Sequence, residues 1–351
     1  MIRSAIRAIK SLIFLFNYFF KKSFKDISNF NTYIVINNKI SFKHWAANDA
    51  GLKDRVLYKK LINNGFNVGL IFNPNLDKIK NINTDADIYL NPHHHMFQTK
   101  RSEGDDFYHD LHLYIAQLEK IFLNVYPSAR DIKFWENKIH LHEVLKEKEI
   151  PHPKTSIVKN NSNLDWKEFD YPMIIKSQNG FSSNGLWHCK TSEDIPCFDE
   201  KTYPKLLVQE FLDISFDIRV ICNFGKVVSF YWRINDHSDF WRPTATQNGA
   251  TVKFYHLPKA VENLASSIYE KTGCLTYGAD ICFPFDNFEN KPLVLEFSPI
   301  YQPNPNPPSN METNDYASFK KKSILNYDRK FEELNGFIFD DFLNSIKKNI
   351  K

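Results

Sequence analysis

Between Tyr33 and Val125 the chain repeats one unit, a short apolar run followed by a stretch of helical period. Tyr33-Ile34-Val35-Ile36, Gly69-Leu70-Ile71-Phe72, Asp87-Ile88-Tyr89-Leu90 and Phe122-Leu123-Asn124-Val125 read as strands, with helices over Leu52 to Asn63 and Tyr108 to Lys120. Strands alternating with helices form a parallel sheet, because a parallel return needs a crossover. The second half abandons that rhythm. After a helix from Asp131 to Lys148, stopped by Pro151 and Pro153, strands arrive in neighbouring pairs. Asp217 to Asn223 and Lys226 to Trp232 meet at Phe224-Gly225, a hairpin signal. Met173-Ile174-Ile175-Lys176, Leu186-Trp187-His188-Cys189 and Leu206 to Phe211 precede them. A helix over Pro258 to Lys271, the pair Ala279 to Phe283 and Leu293 to Phe297, a Pro/Asn loop at Pro303 to Pro308 and a lysine-rich helical tail follow. An α/β layer thus leads into an α+β half.

With 42% hydrophobic and 25% charged residues, the chain has core material enough to exclude collagen, coiled coil and wholesale disorder. Its length of 351 residues suits two or three domains. A net charge of +4 gives no argument for a nucleic-acid partner. Five cysteines without a Cys-x-x-Cys pair argue against a disulfide framework or zinc ribbon, and for a reducing cytoplasm. His93-His94-His95 lacks a carboxylate to complete a metal site and reads as a loop.

The first thirty residues stand apart. Ile2, Ile6, Ile9, Ile13, Phe16 and Phe20 form an apolar stripe, with Arg3, Arg7, Lys10, Lys21 and Lys22 around it. The run Leu12 to Phe20 is well short of the roughly 20 residues that span a bilayer. Residues 2–22 therefore suit either the inner face of an anionic membrane or docking on the protein body.

Three features carry chemistry. First, Ser177 to Gly185 places two of only 11 glycines in a hydroxyl-rich turn behind Lys176. Glycine there lets backbone N–H groups aim at an anion, and Ser182 and Ser183 add donors. A serine-rich hairpin loop has the same composition. Second, Asp280 and Glu296 sit among apolar neighbours on two successive strands, a costly placement unless the carboxylates are paired or bind a cation such as Mg2+. Third, Arg219, Arg233 and Arg242 offer planar forks for phosphate or carboxylate.

In this order the features resemble the ATP-grasp ligases, most closely the branch with the ribosomal-protein glutamate ligase and the glutathione synthases. Asn124-Val125-Tyr126-Pro127, Trp135-Glu136-Asn137-Lys138 and Ile150 to Thr155 are similar to that family's approach to its first nucleotide lysine. The resemblance implies an N-terminal pre-ATP-grasp α/β domain over 31–130, a small lobe with a glycine-rich lid over 131–205, and a C-terminal lobe with the metal site and helical tail over 206–351. Lys138 and Lys176 would contact ATP phosphates, and the lid carrying Ser182, Ser183 and Gly185 would close over them. Gln209, Glu210, Phe211 and Leu212 would hold adenine, and Asp217 ribose. Arg233 and Arg242 would face phosphate and the acyl group, while Asp280, Glu296 and Ser298 would bind Mg2+, or Mn2+ in its place. Ser298 departs from the family, which has asparagine there; Asn304 or Asn306 could substitute.

The implied reaction is ATP-dependent joining of a carboxylate to an amine, with small-molecule or peptide substrates and a cell-envelope precursor among them. A kinase of the same fold and a nucleotide-binding regulatory protein without turnover are the alternatives.

Overall fold

The computed structural model describes residues 2–21, 30–36, 42–72, 82–90, 106–158, 169–179, 185–198, 202, 205–235, 243–307, 316, 319–320 and 324–349. The histidine run at 93–95 lies outside them. The chain divides into two compact units, one of 1–132 with 303–307 and 318–351, the other of 133–302 with 308–317.

The first unit holds the parallel layer. Strands β1 (Thr32–Ile36), β2 (Val68–Phe72), β3 (Asp87–Leu90) and β4 (Asn124–Tyr126) lie in the order β2-β1-β3-β4, all parallel. Every residue of β1 is buried, which is why its sequence is a continuous apolar run rather than an alternation. Helices α1 (Ile2–Lys21), α2 (Phe42–Ala47), α3 (Asp49–Asn63) and α4 (Asp106–Glu119) belong here. So does the C-terminal helix (Ile324–Asn349), a correction to the expectation that the tail belongs with the C-terminal lobe. Its Tyr327, Phe331, Ile338 and Leu343 are buried, and ion pairs add to the attachment. Arg7 of α1 donates to both oxygens of Asp328 at 2.8 Å, and Lys60 of α3 pairs with Asp340.

The second unit contains two antiparallel sheets. Strands β5 (Thr155–Val158), β6 (Met173–Ser177), β7 (Leu186–Cys189) and β8 (Leu206–Glu210) form the smaller in the order β5-β8-β6-β7. β8 pairs with both β5 and β6, so residues 206–210, expected at the start of the C-terminal lobe, share a sheet with β5 to β7. Strands β9 (Phe216–Asn223), β10 (Lys226–Ile234), β11 (Thr251–Lys253), β12 (Thr276–Cys282) and β13 (Leu293–Ser298) form the larger in the order β11-β10-β9-β12-β13. The β9–β10 hairpin turns at Phe224 and Gly225, both at positive φ, as the sequence signal requires.

The single helix expected over 131–148 is two, α5 (Ala129–Glu136) and α6 (Lys138–Glu147). Asn137 is extended, and its side chain accepts the His140 N–H as an N-cap. Leu141 and Leu145 of α6, with Val261, Leu264, Ala265 and Ile268 of α7 (Lys259–Thr272), cover one face of the larger sheet. No disulfide occurs among the described residues.

Candidate active site

Strand periodicity divides the larger sheet into a greasy face and a charged one. Ile218, Val220 and Cys222 of β9, with Ala279 and Ile281 of β12, enter the core. Their neighbours Asp217, Arg219 and Asp280 therefore take the opposite face. On β13 the register shifts between the pairs Asp280↔Glu296 and Ile281↔Val294, leaving Leu295 as an extra residue. This bulge lets Val294 and Phe297 both reach the core while Glu296 stands directly across from Asp280. A sequence reading by strict alternation cannot give that phase.

The charged face is an alternating network. Arg219 makes two hydrogen bonds to Asp280, through Nε to Oδ1 and through Nη2 to Oδ2 at 2.8 Å. Arg233 also reaches Asp280 Oδ2 at 2.8 Å, and its Nε donates to Asp217 Oδ1 at 2.6 Å. Thr244 Oγ1 donates to the other oxygen of Asp217. Lys138, the first residue of α6, donates to Glu296 Oε2 at 2.9 Å. Burial opposes the charged form of Asp280, but the guanidiniums of Arg219 and Arg233 outweigh it and hold the carboxyl well below its usual range. Burial likewise opposes ionisation of Glu296, and Lys138 reverses it.

The smaller sheet supplies a second surface. Lys176 Nζ on β6 donates to Gln209 Oε1 on β8 at 2.6 Å, and Gln209 Nε2 donates to Thr155 Oγ1 on β5 at 2.9 Å. Burial, reinforced by the Lys138 charge, pulls the Lys176 ammonium down to about 8. Glu210 Oε1 accepts the Lys154 N–H at 2.7 Å, and the Phe211 ring stacks on His188 with centroids 4.6 Å apart. Leu212 is buried. At the C-terminal end of the Ser177 to Gly185 stretch, Gly185 takes φ 70° and its carbonyl accepts the Ser177 N–H at 2.7 Å. The Gln178 carbonyl accepts the Lys138 N–H at 3.0 Å, which joins the lid base to the start of α6. Ser182, Ser183 and Arg242 lie outside the described residues.

Asp217, expected at ribose, is 1% exposed and has both oxygens taken by Arg233 and Thr244. Ser298, expected at the metal, donates to the Ile300 carbonyl and accepts the Ile300 N–H, both at 3.0 Å, so its hydroxyl is committed to its own turn. The sequence reading gave no role to Thr155, which ends the run Ile150 to Thr155, to Thr244, two residues past Arg242, or to His188; their partners Gln209, Asp217 and Phe211 appear only once the chain is folded.

Residues 135–299 match the family model of the RimK-like ATP-grasp domain. The fold resembles a RimK-domain ATP-grasp protein of Sphaerobacter thermophilus at 14% identity, covering 89% of this chain and 98% of that one, with a TM-score of 0.52. It also resembles the D-alanine–D-alanine ligase of Bacillus anthracis complexed with ATP, at 13% identity, 91% and 99% coverage and a TM-score of 0.56. A third is the ATP-grasp ligase PsnB in complex with a phosphomimetic variant of its minimal precursor, Mg and ADP, at 14% identity, 78% and 92% coverage and a TM-score of 0.51. No curated protein matches the chain by sequence.

Proposed function

We propose that the chain is an ATP-dependent carboxylate–amine ligase working through an acyl phosphate. The observation that carries this is the row Arg233, Asp217, Arg219, Asp280 and Glu296 on one sheet face, with Lys138 on Glu296, in an ATP-grasp domain. With Lys176, four cations meet three carboxylates, a balance suited to a polyphosphate bound with a divalent ion.

Asp280 and Glu296 carry the donor type that suits Mg2+, and binding there would require Asp280 to give up contacts with Arg219 and Arg233 and Glu296 its contact with Lys138. They are hard oxygen ligands at directly paired positions, and among the described residues no cluster of three His, Cys, Asp or Glu side chains competes as a dedicated metal cage. Mg2+ commonly takes one or two carboxylates and completes its shell with water and phosphate. Bound there, it would neutralise charge on the phosphoryl oxygens.

Lys138 and Lys176 bind the phosphates, and Gln209 to Leu212 line the adenine with backbone groups. Arg233 and Arg242 orient the γ-phosphoryl and the acyl group; Asp217 serves by holding Arg233 in place. A substrate carboxylate oxygen attacks the γ-phosphorus and ADP leaves. An amine then attacks the acyl carbon, phosphate departs and the amine loses its proton. The lid with Ser182, Ser183 and Gly185 excludes water from the acyl phosphate. ATP as co-substrate puts the reaction in the cytoplasm.

Hydroxylamine trapping tests the reaction with pools of amino acids, sugar acids and peptides. Accumulation of a hydroxamate alongside ADP supports the ligase. ADP release with a phosphorylated product and no hydroxamate would make it a kinase, and binding without ADP release a regulatory protein.

A further inference from the structure

The N-terminal helix docks by the face that composition would send to solvent. Arg7, Ser11 and Leu15, spaced four apart, are its buried residues. Arg7 is clamped on Asp328, and Ser11 Oγ donates to the Ala46 carbonyl at 3.0 Å. Farther along, Tyr18 accepts the Leu70 N–H at 2.9 Å and packs edge-on against Tyr58. At about 100° per residue the opposite side carries Ile9, Leu12, Ile13 and Phe16. These are 56, 53, 55 and 65% exposed. A contiguous apolar face of this kind, on a helix already anchored by its polar side, is a surface for something else.

Charge says what. The first 25 residues hold six basic residues, Arg3, Arg7, Lys10, Lys21, Lys22 and Lys25, and no acid. Arg3 and Arg7 turn inward to Asp328, and Lys10, still 45% exposed, lies 3.7 Å from Glu332. Lys21, Lys22 and Lys25 continue the basic run in the sequence. A cationic border repels a second copy of the same face and attracts an anionic one. No described helix is long and apolar enough to cross a membrane.

We infer that α1 lies in the interface of an anionic bilayer, with Ile9, Leu12, Ile13 and Phe16 inserted and the lysines at the headgroups. The inference is independent of the ligase proposal. Sedimentation of the full chain with phosphatidylcholine vesicles, with and without phosphatidylserine, tests it. Recovery is expected on the anionic vesicles only. It should fall at least about tenfold for the Ile9→Ser/Ile13→Ser/Phe16→Ser variant, since apolar burial drives interfacial binding. That variant keeps the melting temperature of the parent, because the three side chains are exposed. The Lys21→Ala/Lys22→Ala variant should also bind less. No recovery on anionic vesicles, equal recovery on neutral ones, or concentration-dependent self-association removed by the triple variant would each overturn the inference.

Discussion

Lys138 donates to Glu296 at 2.9 Å, tying the first residue of α6 to the strand position directly across from Asp280. A proposed phosphate ligand and a proposed metal ligand therefore neutralise one another. On the proposed function, nucleotide binding would be an exchange in which Lys138 turns to phosphate and Glu296 to the cation. The Glu296→Gln variant should then bind ATP more tightly than the parent when Mg2+ is chelated, since Lys138 is released. With Mg2+ present it should bind more weakly. Fluorescent-nucleotide titrations in both conditions check this reversal of sign.

The lowered Lys176 predicts a pH dependence. Its folded value of about 8 lies below the ordinary lysine range, so the ammonium is charged beneath that pH and is lost above it. ATP affinity should fall as pH rises through 8, whereas Lys176→Arg, which stays charged, should show no such fall. The same shift means that the folded state holds fewer protons than the unfolded chain between about 8 and 10.5, so this group adds stability as pH rises through that window.

Arg233 bridges two carboxylates, the buried Asp217 and the half-buried Asp280. Removing it leaves Asp217 in the interior without its principal counter-charge. Arg233→Met should destabilise the domain by about 3–5 kcal/mol, read by chemical denaturation. Adding Asp217→Asn should restore a substantial part of that loss without restoring turnover.

A Cβ added to Gly278 would lie 2.7 Å from Tyr301 Cβ. The absence of a side chain on β12 is what lets Tyr301 lie against the charged face beside Arg219. Gly278→Ala should cost about 1–3 kcal/mol through overpacking and lower activity; a melting curve equal to that of the parent would refute it.

Much of the second unit was legible in the order of its motifs. Lys176, Asp280 and Glu296 are charged residues in apolar or hydroxyl-rich settings, visible without coordinates, whereas Lys138 stands out only through the resemblance to the family. Local patterns could not show where chain segments meet. Asn137 reads as an ordinary polar position inside a helix until its extended backbone makes it a cap. That Asp217 pairs with Arg233 shows only once the hairpin brings the two across from each other. The apolar stripe of α1 was plain, but the face it docks by is set by Asp328, over three hundred residues away in sequence.

Calorimetric titration of Mg-ATP into the full chain and into its Lys176→Ala variant tests the central claim most directly. The parent should bind one equivalent saturably and the variant should lose most of that affinity. No heat with the parent, or the same isotherm with both proteins, would contradict the assignment of this site.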